Sequence, residues 1–408
     1  GRCATVKEAS EEEVEHAASR FPYPPDVRPP GCRAANLTDD FSNVTVSIII
    51  PWLKEKWEHI EGSMHALLYF TPASLIEEII FVSDGNTNTY EAELRAISDK
   101  VKVIALPTRQ GLIRAKLKGV EMAKAPVLMF MEAHVIVNRD WLQPLLKRVK
   151  ANPRVLAMPA LDYKPADDWH AYYLGSPGHW RFEWNFNLVH TNPAGMYTTS
   201  THEPYDSPGT SGGIFAMRKD WFLHIGSFDP EMYEWGGDHF ELSMKVWRCG
   251  GKIEIVPCSR IGHLFREVAT RPYTVSELQV VHNYARLAEV WGGEYRHLFY
   301  RVKPQARIMW LGDLSAQKKI PEDLKCRSMQ WYLDNVDHEL KWEAPRLCLW
   351  TYNPMYYWMR CKNEPPAGRS IIDEVMPAHE YLAAWRVAKA KAARDATASA
   401  VDPLWHEL

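Results

Sequence analysis

Ala125-Pro126-Val127-Leu128-Met129-Phe130-Met131-Glu132-Ala133-His134 is an apolar run that closes on a carboxylate and an imidazole. Its apolar part is strand-sized, far short of the roughly 20 residues that span a bilayer. Three runs of the same kind precede it: Val44 to Ile50, Glu77 to Ser83 and Lys100 to Leu106, all apolar and rich in β-branched residues. Segments of helical period lie between and after them, at Trp57 to Tyr69, Tyr90 to Lys100, Gly111 to Ala123 and Asp140 to Lys150. Asn138 or Asp140 is a candidate N-cap for the last of these. The alternation predicts βαβ units and an α/β fold with a parallel sheet.

Ligands of open α/β sheets sit outside the carboxyl ends of the strands, so the residues just past each run come first. They are Pro51, Asp84, and Glu132 with His134. No G-x-G-x-x-G or G-K-[ST] loop follows any of these strands, which excludes a nicotinamide fingerprint and a Walker phosphate cradle. On an extended segment, residues i and i+2 point to the same side, so Glu132 and His134 can share one ion. Oxygen and nitrogen donors with open positions suit manganese or magnesium bridging a diphosphate. E-x-H also occurs widely without a metal, and that is the alternative that spacing alone leaves open.

Beyond Trp169 the chain is irregular and rich in Trp, Tyr, Gly and Pro, the composition of long structured loops over a site. A helix is expected from Asp238 to Arg248, a short strand from Lys252 to Val256, and an Ala- and Lys-rich helix over residues 378 to 398. Residues 1 to 43 hold an acidic helix-like stretch around Glu11 to Glu15 and then a proline-dense run. With 408 residues, 46% hydrophobic and 24% charged, the chain is long enough for one large domain or two ordinary ones. A net charge of −3 with both signs interspersed argues for no nucleic-acid partner. Asn36-Leu37-Thr38 and Asn43-Val44-Thr45 are N-glycosylation tripeptides that suit a secretory chain. The seven cysteines include no C-x-x-C pair; some pair in an oxidising compartment or remain buried thiols, and spacing does not choose a connectivity.

Read together, the motifs resemble the polypeptide N-acetylgalactosaminyltransferases over roughly residues 25 to 340. The family's D-x-H is similar to Glu132-Ala133-His134, and its W-G-G-E-N to Trp235-Gly236-Gly237-Asp238-His239. Its C-G-G and C-S-x-V-G-H-V-F-R resemble Cys249-Gly250-Gly251 and the run Cys258 to Arg266. Gly111-Leu112-Ile113-Arg114, Gly212 to Phe215, Arg286 to Trp291 and Trp331 to Asn335 match as well, in the same order. The resemblance implies a GT-A glycosyltransferase fold, Rossmann-like and mostly parallel, over residues 44 to 341. It implies Mn2+ held by Glu132, His134 and His263, and a UDP-sugar donor whose nucleotide end meets Asp84 and Arg114. It also implies a reaction centre of Trp235, Asp238, Arg266 and Tyr273, with His239 nearby. Disulfides Cys32 to Cys258 and Cys249 to Cys326 follow from the same likeness, leaving Cys348 with Cys361 in the tail and Cys3 alone. The implied activity is retaining transfer of N-acetylgalactosamine from UDP-GalNAc to Ser or Thr of a polypeptide, in the Golgi lumen, with no membrane anchor in this chain.

The departures gather at the nucleotide end. Where the family has T/V-F-H-N-E, this chain reads Pro51-Trp52-Leu53-Lys54-Glu55, and D-D-x-S has become Ser83-Asp84-Gly85-Asn86. Glu132 stands for Asp, His239 for Asn, and two extra residues separate Arg266 from Tyr273. These changes keep two alternatives in play: a glycosyltransferase-like scaffold without turnover, and a transferase using another UDP-sugar. Residues 342 to 408 show no Q-x-W lectin repeats and are expected to pack on the catalytic domain, with docking of a protein partner on their aromatic stretch as the second reading.

Overall fold

The computed structural model describes residues 23–33, 41, 44–165, 168, 171–266 and 271–342. Both glycosylation tripeptides, the acidic stretch around Glu11, Cys3, Cys348, Cys361 and the extension after 342 with its expected helix and partner surface lie outside the described residues, wholly or in part. The first half alternates strand and helix as expected: β1 (Val46–Trp52), α1 (Trp57–Phe70), β2 (Ile76–Asp84), α2 (Glu91–Ile97), β3 (Val101–Leu106), α3 (Leu112–Met122) and β4 (Val127–Phe130). Then come β5 (Val135–Val137), α4 (Leu142–Ala151) and the long β6 (Val155–Lys164). A hairpin of β7 (His179–Phe182) and β8 (Leu188–Thr191), the short β9 (Tyr205–Asp206) and β10 (Phe215–Arg218) lead to α5 (Lys219–His224). The chain continues through α6 (Asp238–Arg248), β11 (Lys252–Leu264) and α7 (Glu277–Trp291).

The main sheet has the order β3-β2-β1-β4-β10-β6-β11-β5, with β9 on β11. It is parallel through β3-β2-β1-β4 and again between β6 and β11, while β10 runs antiparallel to both β4 and β6. The strands are continuous apolar runs because both faces are buried. Ile49, Leu128, Phe130, Phe215 and Met217 enter one core, and their neighbours Ile48, Ile50, Met129 and Ala216 enter the other. That is the two-residue period of a pleated strand, doubled across a sheet covered on both sides. Phe130 is fully buried, with Phe215, Phe222 and Phe228 centred 4.7, 5.7 and 5.9 Å away, so Phe130→Ala removes about 3–5 kcal/mol.

Two local expectations are corrected. Neither Asn138 nor Asp140 caps α4: the helix begins after Trp141 without a side-chain cap. Asn138 instead donates to Pro25 O at 2.9 Å, and Asp140, in the left-handed region at φ 51°, pairs with Arg28 at 2.6 Å. The strand expected to stop at Val256 runs on to Leu264, absorbing Pro257-Cys258-Ser259 in a register shift between Val256 and Arg260. Cys258 is bonded to Cys32, with Cα atoms 5.3 Å apart, and Cys249 to Cys326 at 4.3 Å. No helix among the described residues is long and apolar enough to cross a membrane.

Candidate active site

A cleft opens at the carboxyl ends of β1, β2 and β4 and is closed on one side by the end of β11. Glu132 Oε2 lies 2.6 Å from His263 Nε2 and 2.9 Å from His134 Nε2, and one ligand atom from each residue lies within 4.8 Å of the others. β5 pairs with β11 antiparallel and sets His263 opposite Val135, which brings the strand ends together across 131 residues of sequence. Gly213 makes room: a Cβ there would stand 2.2 Å from Glu132 Oε1.

Behind this trio sits Glu55, just before α1 and almost wholly buried. Its Oε1 accepts from His59 Nδ1 at 2.6 Å and from the Arg266 guanidinium, and its Oε2 from His134 Nδ1 at 2.9 Å. Burial would raise the Glu55 carboxyl, but the His134 and His59 hydrogen bonds and the Arg266 charge hold it well below the usual carboxylate range. Burial likewise opposes a charge on His134, yet its bonds to Glu132 and Glu55 outweigh that and lift the imidazole to about 9. Glu132 is held well below its ordinary value, since the two imidazoles outweigh its desolvation.

At the other end, Asp84 closes β2 with both carboxylate oxygens on main chain: Oδ1 accepts from Gln110 N at 2.5 Å and Oδ2 from Gly111 N at 2.9 Å. Burial pushes its carboxyl up, and those amides only partly offset the shift. Asn86 ties the neighbouring turn, donating to Trp52 O at 3.0 Å and accepting from Lys54 N at 2.6 Å. Trp52 and Leu53 line this end.

Trp235, Arg266 and Tyr273 line the cleft; Asp238 and Arg114 do not. Asp238 is buried at the start of α6, 2.7 Å from Lys116 Nζ and 3.3 Å from His239 Nδ1. Burial raises its carboxyl and the Lys116 charge overrides that, holding it well below normal. Arg114 points the other way from α3, donating to Pro230 O at 3.0 Å with its guanidinium 3.8 Å above the Tyr233 ring. The arginine that reaches the cleft is Arg109, which donates to Thr274 O at 3.0 Å and lies 3.9 Å from Glu234. Glu234 also accepts from Ser276 N at 3.0 Å. Glu55, His59, Arg109 and Glu234 were not singled out as site residues. The sequence signals that point to any of them are the i, i+4 spacing of Glu55 and His59 and the match of Glu55 to the acid that ends the family's T/V-F-H-N-E.

A mixed nine-stranded sheet covered on both faces, with an acid and two imidazoles converging at its strand ends, defines a GT-A-type glycosyltransferase fold. Residues 47–226 match the Glycosyl transferase family 2 and residues 194–268 the N-terminal domain of galactosyltransferase. Human polypeptide N-acetylgalactosaminyltransferase 10 is 32% identical over 351 residues, covering 84% of this chain and 55% of that protein. The Caenorhabditis elegans polypeptide N-acetylgalactosaminyltransferase 4 is 35% identical over 334 residues, 79% of this chain and 55% of that protein. A solved structure of GalNAc-T7 with UDP, GalNAc and Mn2+ superposes with a TM-score of 0.70 at 27% identity, covering 81% of this chain and 65% of that one. Over this region the chain belongs to the polypeptide N-acetylgalactosaminyltransferase family, and it spans about half the length of the curated relatives it matches.

Proposed function

We propose that the chain is a Mn2+-dependent retaining transferase that moves N-acetylgalactosamine from UDP-GalNAc to a Ser or Thr hydroxyl of a polypeptide. The observation that carries this reading is the convergence of Glu132, His134 and His263 at a cleft that the first two line and that ends at Asp84. One carboxylate and two imidazoles are a donor set suited to Mn2+, and His134 Nδ1 on Glu55 is the outer hydrogen bond that orients a ligating imidazole. When bound, the ion would supply positive charge to offset the negative charge developing on the departing diphosphate. Arg266, kept in place by Glu55, offers its remaining guanidinium donors to the same phosphates. Trp235 and Tyr273 flank the sugar, and Asp84 with Arg109 bounds the nucleotide end. Glu55, Asp84, Glu132 and Glu234, the carboxylates lining the cleft, are each engaged in the bonds described above, and Asp238 is held by Lys116. That supports attack by the acceptor hydroxyl on the leaving-group face, without a carboxylate nucleophile from the protein.

The names of the relatives and the contents of the GalNAc-T7 structure support the same donor and ion. The two disulfides suit the oxidising lumen of the secretory pathway, where we place the chain, in the Golgi. One specific feature favours the scaffold reading. Pro51 and Leu53 at the nucleotide end offer no polar side chain, and Asp84 is already bonded to main chain. Calorimetric titration of UDP with and without Mn2+, followed by UDP release from a panel of UDP-sugars with Ser/Thr peptides, tests the choice. Metal-dependent UDP affinity, and donor consumption fastest with UDP-GalNAc and accelerated by peptide, is the expected result. No UDP binding at millimolar nucleotide and Mn2+ overturns the enzyme in favour of the scaffold, and faster turnover of another UDP-sugar changes the donor.

A further inference from the structure

We infer that Asn283 is a positioning residue that fixes Trp235 in the cleft; its catalytic consequence rests on the transferase reading, its geometry does not. Asn283 is a fully buried residue of α7 and does not line the cleft. Its amide nitrogen donates to Tyr233 O at 2.7 Å and Gly236 O at 2.9 Å, with Trp235 O at 3.3 Å. Its amide oxygen accepts from Tyr233 N at 3.2 Å and from Gln279 Nε2 at 2.9 Å. An amide nitrogen carries two hydrogens, so the two shorter contacts are full bonds and Trp235 O shares one of them. Carbonyls crowd one end of the side chain and N–H groups the other, so the network itself sets which way the amide points.

The bonded segment is short and specific. Apart from Gln279, these partners fall within residues 233 to 236, and Trp235 is the one among those partners whose ring reaches the cleft. Gly236 and Gly237, at φ 92° and 93°, hold a backbone that other residues rarely adopt, and the turn they make aims the carbonyls at α7. A Cβ on Gly237 would meet Asn283 Cβ at 3.2 Å, so the two segments are in close contact there. The peptide leading into Trp235 is held from the other side, Glu234 O accepting from Leu112 N at 2.7 Å and Glu234 Oε2 from Ser276 N at 3.0 Å, and Asn283 adds its bonds on the carbonyl side of Trp235.

The test uses the full chain labelled with 5-fluorotryptophan, the Trp235 signal being assigned by Trp235→Phe. Asn283→Asp keeps the size and deletes both N–H donors; Asn283→Ala deletes the whole group. Both are expected to shift or broaden the Trp235 fluorine resonance while the other tryptophans and the affinity for UDP with Mn2+ stay as they were. In an active chain, kcat falls about a hundredfold, the loss expected for a displaced reaction-centre group, with KM for the donor little changed. Protonation of the carboxyl introduced by N283D restores one donor, so its defect shrinks as pH falls. Gln279→Met removes one of the bonds that anchor the amide oxygen, together with the Gln279 contact to His282, leaves the bond from Tyr233 N, and gives the same displacement in smaller degree, which keeps the test decisive if the Asn283 variants do not fold. A Trp235 signal that stays in place, or all tryptophan signals moving together, overturns the inference. A local Trp235 shift in a chain whose wild type releases no UDP removes the transferase reading and leaves the positioning role standing.

Discussion

The two ends of the cleft are held in different ways. At the proposed metal end, side chains hold side chains: Glu132, His134, His263, Glu55, His59 and Arg266 come from three segments and bond one another. At the proposed nucleotide end the main chain takes that part. Asp84 grips two amides, and Asn86 grips a carbonyl and an amide. The family's pattern survives at the first end save for Glu132 in place of Asp, and has changed more at the second. A buried charge that loses its partner is strongly destabilising, whereas a turn fixed through its backbone tolerates new side chains. The altered residues Leu53 and Lys54 lie in such a turn.

If the metal end is where the chemistry resides, Glu132→Ala and His263→Ala are the largest effects available. Each is expected to lower Mn2+-dependent UDP release by at least about a hundredfold. Activity that survives both places the ion elsewhere. Next comes Glu55→Gln, which leaves the ligands in place and removes the charge that orients His134 and Arg266. A 10–100-fold drop in Mn2+ affinity is expected, of order the loss seen when an outer hydrogen-bond partner is removed. An unchanged affinity by calorimetry would mean that Glu55 serves the fold alone.

The raised His134 value sharpens the same end. Its imidazole is lifted to about 9, so at neutral pH the ion must displace a proton, because only a neutral imidazole binds metal. Mn2+ affinity should therefore rise with pH by about tenfold per unit between roughly pH 6 and 8, with close to one proton released per ion. Titrations in two buffers of different ionisation enthalpy read that proton directly. A flat profile breaks the assignment of His134 as a ligand. The smallest effect belongs to the nucleotide end. Leu53→His with Lys54→Asn restores the family's pair, and Asn suits φ 51° at position 54 better than Lys does. UDP binding should tighten by about three- to tenfold, the worth of one added hydrogen bond. No change would show that this turn does not touch the nucleotide.

The strands of the first half were legible because each is a short apolar run between helical segments. The early helices were found to within a few residues of their ends. β11 was half read, since Pro257 looks like a terminus and is in fact carried through a register shift. Asn138 and Asp140 look like caps, but tertiary partners at Pro25 and Arg28 claim them. At the site, Glu132 and His134 stand out by position past a strand, while His263 comes only through family likeness, since antiparallel pairing with β5 brings it there. Arg114 and Asp238 carry matching motifs, yet Pro230 O with the Tyr233 ring and a buried lysine keep them out of the cleft. Arg109, Glu234 and Asn283 act through contacts across long stretches of chain, which no local pattern records, and of the bonds of Glu55 only the one to His59 is local.

The Cys32 to Cys258 bridge joins positions 226 residues apart, and Cys258 lies five residues before His263 on the strand that completes the Glu132, His134 and His263 cluster. On a ribosome adding about 5–20 residues per second, Cys32 waits roughly 10 to 45 seconds for its partner to be made. Cys249 emerges first, while its own partner Cys326 is still 77 residues away. A newborn chain therefore passes through an interval in which the wrong thiol is available and the right one is not. How much correctly bridged protein a cell delivers depends on how fast oxidation and isomerase repair run against the clock of synthesis.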